Sequence, residues 1–176
     1  MRIVGGTHRS RRIDAPKNLP LRPTTDFAKV SLFNILDNHF NLDAVDVLDL
    51  FSGTGAISFE FASRGAKRIV AVEKNYACFG FIKNKSTEFK FENILAYKGD
   101  SFKYLENCTE KFDIIFADPP YDLPKIETLP TLVFGKELLN ENGRLVIEHG
   151  HKISYAKEER FLEKRSYGDV NFSIFG

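Results

Sequence analysis

Short apolar runs alternating with helical stretches constrain this chain more than any other feature. VDVLDLF (Val45 to Phe51), RIVAVE (Arg68 to Glu73), ILAYKGD (Ile94 to Asp100), FDIIFAD (Phe112 to Asp118) and RLVIEHG (Arg144 to Gly150) have the length and β-branched content of strands. Between them, AISFEFASR up to Gly65, Tyr76 to about Phe89, and about Leu129 to Leu139 have helical spacing. Apolar strands alternating with helices predict an α/β fold, with a mostly parallel sheet covered on both faces. Ligands of such sheets bind beyond the carboxyl ends of the strands, and Asp49, Glu73, Asp100 and Asp118 fall at or just after such ends. An earlier helix is expected after a cap at Thr24 or Thr25, with Phe27, Val30, Phe33 and Leu36 on its apolar face. At the other end FLEKRSYGDVNFSIF reads as two short strands meeting at Tyr167-Gly168-Asp169, which closes the sheet with an antiparallel strand. The turn Asn142-Gly143 is expected to precede the fifth strand.

At 176 residues, 43% hydrophobic, the chain has room for one globular catalytic domain, expected over 24–176. The 17 Phe, several of them in pairs, read as core packing, since no Trp is present to share that role. Cys78 and Cys108 lack metal-ligand spacing and are too few for a disulfide framework. His149 reads as structural, because no His, Cys or carboxylate forms metal spacing with it, and no metal is expected. No apolar run nears the ~20 residues that span a bilayer and no export signal opens the sequence, so a soluble cytoplasmic protein is expected. The net charge of +1 is unevenly divided: residues 1–22 hold six cations against Asp14 alone, a net +5, which leaves −4 for the rest. The expected boundary sets a basic arm over 1–23. Such an arm suits a polyanionic partner, because neutralised phosphates release counterions; a solvated tail is the alternative.

The run ending at Phe51 stops at SGTG. Gly53 and Gly55 let the backbone approach a ligand and take positive φ, and the following helix offers its first amides. The third glycine of a dinucleotide loop is replaced by Ser58, which weakens a nicotinamide reading. Asp49 instead precedes the glycines, which suits a ligand carrying an ammonium and a sulfonium cation, and the loop resembles motif I of class I methyltransferases. Glu73, about 20 residues on, can accept hydrogen bonds from both ribose hydroxyls. Asp100 can approach an adenine amino group; Phe51 and Ser101, beside these acids, join the expected cofactor set.

DPPY, Asp118-Pro119-Pro120-Tyr121, is the most specific element. Two prolines fix φ and remove two amide donors, which leaves carbonyl acceptors in a rigid segment. An exocyclic amine such as guanine N2 is a poor nucleophile because its lone pair is delocalised into the ring. If the Asp118 carboxylate and the Pro119 carbonyl accept its two N–H bonds, the nitrogen moves toward tetrahedral geometry and its lone pair turns to a methyl donor. Tyr121 would stack on a base turned out of its RNA context, an interaction of roughly 1–3 kcal/mol. The same loop serves adenine N6 and cytosine N4, and no spacing separates the three amines. A non-catalytic assembly factor and a dinucleotide oxidoreductase are the other classes considered. Intact Asp118 and Tyr121 argue against the first, and the absent third glycine against the second.

From MRIVGGTHRSRR through RPTTDFAKVSLFNIL, DLFSGTGAISFEFASRGA, DPPY, VIEHG and the closing YG turn, nearly the whole chain resembles the bacterial 16S rRNA guanine-N2 methyltransferase family of the RsmD type. The resemblance implies a seven-stranded class I methyltransferase sheet and S-adenosyl-L-methionine as donor, with S-adenosylhomocysteine as product. It implies N2-methylguanosine formed in the head of the small ribosomal subunit, on assembled or nearly assembled particles, by a monomer. It also implies RNA binding by Arg9, Arg11, Arg12 and Arg22, and a place for Arg22 to Thr24 against the cofactor side. Ser10 stands where that family's arm usually has Gly, and Val170 where Thr usually follows YG.

Overall fold

In the computed structural model, which describes residues 1–16 and 25–176, the five apolar runs become neighbouring strands of one seven-stranded sheet. These are β1 (Asp46–Leu50), β2 (Arg68–Glu73), β3 (Ile94–Lys98), β4 (Phe112–Ala117) and β5 (Leu139–His149), followed by β6 (Phe161–Tyr167) and β7 (Val170–Phe175). Their order is β3-β2-β1-β4-β5-β7-β6; the first five are mutually parallel, β7 runs antiparallel to β5, and β6 pairs with β7. The chain builds outward from β1 to β3, then returns to the other side of β1 as β4. That reversal opens a crevice between the ends of β1 and β4, where an open α/β sheet binds its ligands.

Among the described residues five α-helices cover the sheet: α1 (Asp26–Asp37), α2 (Ala56–Ser63), α3 (Tyr76–Phe89), α4 (Ser101–Asn107) and α5 (Leu129–Gly135). Successive strand residues point to opposite faces, so each strand feeds two cores. Val47, Ile69, Ile114 and Val146 pack with Leu32, Phe33, Phe59, Phe61 and Ile82 on one face. Leu48, Val70, Ile115 and Leu145 pack with Leu105, Leu129 and Val133 on the other. Each such buried side chain contributes about 1.5–3 kcal/mol over its exposed state. The seven-stranded mostly parallel class expected from sequence is the one observed.

Three local expectations change. α1 does begin after Thr25, whose hydroxyl accepts from the Ala28 amide, but Phe27 and Val30 are 68% and 41% exposed. The buried stripe is Ala28, Lys29, Leu32, Phe33 and Leu36, because the Lys29 ammonium is drawn inward to the Arg2 carbonyl and toward Asp26. α5 stops at Gly135, since Leu138 and Leu139 leave it for the sheet. Asn142-Gly143 lies within β5 at a register shift, with Asn142 at φ 61°, rather than ahead of the strand. Lys17 to Thr24, and with them Arg22 and Thr24, lie outside the described residues.

The basic segment is folded over residues 1–13. The Ile3 amide donates to the Arg11 carbonyl and the Ile3 carbonyl accepts from the Ser10 amide beside an Arg2–Arg12 bridge, and the Ile13 amide donates to the Met1 carbonyl. Ile3 and Ile13 are each only 1% exposed and belong to the α1–α2–α3 core. The hairpin lies along α2. Met1 Sδ is 3.5 Å from Thr54 Oγ1 near the start of that helix, the Val4 amide donates to Glu60 Oε2 at 2.8 Å, and the Thr7 amide donates to the Ser63 carbonyl at 2.7 Å. Gly6 is required at its place: φ is 71°, and a Cβ would lie 1.9 Å from the Ser63 carbonyl oxygen.

Candidate active site

Strand register brings the two motifs together. Leu50 pairs with Ala117, so the next residues, Phe51 and Asp118, leave the sheet side by side, and the Asp118 amide donates to the Leu50 carbonyl at 3.4 Å. Residues of the glycine loop and of DPPY thereby line one cavity of about 660 Å³. Phe51, Gly53, Glu73, Asp100, Ser101 and all four residues Asp118 to Tyr121 line it. Asp49 and Gly55 stand behind the wall.

Phe51 and Gly53 take positive φ of 57° and 54°, which turns the backbone sharply off β1. The Phe51 amide is held by Ser101 Oγ at 3.1 Å and the Gly53 amide by Glu73 Oε2 at 2.7 Å. Glu73 is therefore a brace for the loop as well as a wall residue; its Oε1 accepts from the Asn75 amide at 2.6 Å. Each carboxylate oxygen keeps acceptor capacity beyond one such bond. Gly55, at φ 77°, starts α2, and a Cβ there would meet Ile82 Cγ1 at 3.0 Å and Phe59 at 3.1 Å, so the glycine allows close approach of α2 and α3.

Asp49 is wholly buried and receives the Ser58 hydroxyl; burial raises its carboxyl pKa to about 7, against the lowering effect of Ser58, with Glu73 adding to the rise. Asp100 caps α4 through the Phe102 and Lys103 amides and pairs with Lys74 at 3.3 Å. Burial alone would raise it, but these partners bring it below the ordinary carboxylate value.

In the DPPY corner Pro119 is buried, Pro120 is exposed and Asp118 is half-buried. The Tyr121 hydroxyl donates to Glu148 Oε1 at 3.0 Å. Lys74, Asn75, Cys78, Phe102, Asp122 and Leu123 also line the cavity, and sequence reasoning passed over them. Lys74, Asn75 and Phe102 follow singled-out acids by one or two positions, so proximity along the chain was an available signal. Asn75 caps α3 by accepting from the Ala77 and Cys78 amides. Burial raises the Cys78 thiol pKa, which suits an apolar wall rather than a nucleophile.

None of the described arm cations lines the cavity. Arg9, Arg11 and Arg12 are exposed on the hairpin along α2, and Arg11 stacks its guanidinium 5.3 Å from the centre of the Phe89 ring. The hairpin turn reaches the Ser63 end of α2, about 12 Å from the glycine-loop end at 1.5 Å per helical residue. Among the described residues no group of three or more His, Cys, Asp or Glu could hold a metal ion, and no helix is long and apolar enough to cross a membrane.

The cavity chemistry fits S-adenosyl-L-methionine. Glu73 and Asp100 supply acceptors for hydroxyl and amino groups, Phe51 and Phe102 supply apolar surface, and the glycine loop admits a chain along its backbone. Sheet order, glycine loop, strand-end acids and the diproline corner in the same cavity together define a class I methyltransferase fold. The Escherichia coli protein yhhF superposes with a TM-score of 0.86 at 24% identity, covering 99% of this chain and 96% of that one. The chain belongs to the family described as Conserved hypothetical protein 95, whose model matches residues 1–176, and this is the RsmD type that its motifs resemble. The Bacillus subtilis (strain 168) protein YlbH is 30% identical over 182 residues, 99% of this chain and 98% of its own. Ribosomal RNA small subunit methyltransferase D of Escherichia coli (strain K12) is 34% identical over 149 residues, 84% of this chain and 71% of its own.

Proposed function

We propose that this chain transfers the methyl group of S-adenosyl-L-methionine to the exocyclic N2 of a guanine in small-subunit (16S) ribosomal RNA, on assembled or nearly assembled subunits. The single observation that carries the reading is the Leu50–Ala117 register, which supports it by bringing DPPY and the glycine loop to one shared cavity. The relatives named for ribosomal RNA methylation support the choice of substrate class.

When bound, the donor supplies a methyl group on a positively charged sulfur and leaves as S-adenosylhomocysteine. Glu73 and Asp100 hold its ribose and adenine ends, and Gly53 lets its chain lie against the loop backbone. Asp49, behind the loop, contributes negative charge toward the cationic end. On the target side, the Asp118 carboxylate and the Pro119 carbonyl accept the amine's two N–H bonds, which localises the nitrogen lone pair. A C–N bond forms as the C–S bond breaks, and the surplus proton passes from nitrogen to Asp118 and then to water. Tyr121 stacks on the target base and sets its plane. The chain works as a cytoplasmic monomer, with 1–23 as an RNA-binding arm on the catalytic domain 24–176. Arg9, Arg11 and Arg12 neutralise phosphates away from the cavity, Arg22 adds to RNA binding, and Arg22 to Thr24 contribute to the cofactor side. Calorimetry with S-adenosyl-L-methionine against NAD tests the cofactor: preference for NAD would overturn the assignment.

A further inference from the structure

The Tyr121 ring is seated at two points by the end of β5. Its hydroxyl donates to Glu148 Oε1 at 3.0 Å, and Glu148 is only 3% exposed. One edge of the ring rests on Gly150, where a Cβ would come within 2.8 Å of Cδ2 and 3.3 Å of Cε2, so a bare backbone is needed beneath it.

This seat is itself immobilised from the neighbouring strand. The buried His149 imidazole lies 2.9 Å from the Gly150 carbonyl through Nδ1 and 2.7 Å from Ser173 Oγ through Nε2. Burial lowers the His149 pKa, and the neutral ring that results donates from Nδ1 to the carbonyl and accepts the Ser173 hydroxyl at Nε2. The Asn171 side-chain amide donates to the His149 carbonyl at 3.2 Å. β7 thus fixes His149 and Gly150, and these with Glu148 fix a ring that lines the cavity next to Asp118.

We propose that Glu148 is a positioning residue for methyl transfer: by holding the Tyr121 hydroxyl over the Gly150 seat, it fixes the plane in which the target base must lie. The inference rests on the methyltransferase reading of the cavity. A base stacked on a mobile ring would present its amino group to Asp118 in many orientations, whereas a ring held at hydroxyl and edge presents it in one, the pre-orientation that raises rate without a new contact to substrate.

The test combines a direct probe of the ring with a kinetic one. Fluorotyrosine placed at position 121 is followed by fluorine NMR, and transfer to unmethylated small subunits is measured in parallel. Glu148→Ala is expected to shift and narrow the fluorine resonance as the ring gains freedom. It should lower kcat/KM for the subunit by about 10-fold or more, with donor affinity unchanged. Glu148→Gln, whose amide oxygen still accepts, should recover most of that loss. Tyr121→Phe should reproduce the Glu148→Ala loss, and the double variant should lose no more than either alone, since one contact is removed in each case. Should Glu148→Ala fail to fold, Tyr121→Phe, at a half-buried position, carries the kinetic test. An unmoved resonance, or Tyr121→Phe with wild-type kcat/KM, overturns the proposal. A wild-type chain that transfers no methyl group while its resonance still responds to Glu148→Ala overturns the proposed function, and with it any role for the seat in catalysis.

Discussion

The hydroxyl of Ser58 donates to the carboxylate of Asp49 beneath the glycine loop, with both residues buried. Ser58 occupies the third glycine position of a dinucleotide loop, so the side chain that disfavours a pyrophosphate also gives the loop's acid a neutral partner. A neutral donor compensates burial only in part, and the carboxyl pKa reaches about 7.

Stability and donor affinity should therefore depend on pH in opposite directions. The unfolded chain releases this proton near 3.8 and the folded chain near 7, so between those values the folded state holds more protons and stability falls as pH rises. A cationic donor favours the charged carboxylate, so its affinity should rise as pH passes upward through about 7. Chemical denaturation and calorimetry across that window check both slopes. Asp49→Asn should flatten them, and slopes that survive in Asp49→Asn would remove Asp49 as their source.

Glu60 ties the arm to the body. Fully buried on α2, it accepts from the Val4 amide and from Arg64 Nε at 3.1 Å. Glu60→Ala leaves the Val4 amide and Arg64 Nε without their acceptor, while Arg64 keeps Asp37 at 2.8 Å, and should cost about 1–3 kcal/mol. The unfolding midpoint in urea reads the loss; a change under about 1 kcal/mol would mean that Ile3, Ile13 and the Ser63 bonds hold the arm without Glu60.

Ser10 closes the hairpin at φ 70°, the left-handed region that costs a residue with a Cβ roughly 1–2 kcal/mol. The departure from the family's usual glycine is thus a strained position. Ser10→Gly should stabilise the chain by up to about 1 kcal/mol once glycine's extra unfolded-state freedom is subtracted, measured as a rise in melting temperature.

Replacing Arg9, Arg11 and Arg12 together by Ala should weaken subunit binding and flatten its dependence on salt by up to about 3 in the log–log slope. Donor affinity should not change, because none of the three reaches the cavity. An unchanged salt slope would show that these arginines contact no phosphate.

Sequence reading succeeded where a signal is local and failed where it depends on convergence. Runs such as VDVLDLF and RIVAVE announce buried strands because both faces are covered, and DPPY and SGTG are contiguous motifs whose backbone chemistry needs no partner. The buried face of α1 was misjudged because Lys29 is turned inward by Arg2, 27 residues earlier, which no helical period encodes. The hairpin was legible as charge but not as structure, since its anchor at Glu60 lies 56 residues from Val4. Tyr121 was legible as part of the DPPY motif, yet its seat, 27 residues away at Glu148, appears only once β5 lies beside β4.

The most direct test of the whole account is methyl transfer by wild type, Asp118→Ala and Gly53→Val to small subunits from a strain lacking this modification, with the product nucleoside identified by mass spectrometry. Wild type should yield N2-methylguanosine. Asp118→Ala should lose activity by at least about 100-fold while keeping donor affinity within a few-fold, since it removes an acceptor on the target amine. Gly53→Val, at φ 54° against the cavity, should lose donor binding itself. Methylation of adenine or cytosine would contradict the assigned target, and an Asp118→Ala variant with most of its activity would contradict the mechanism.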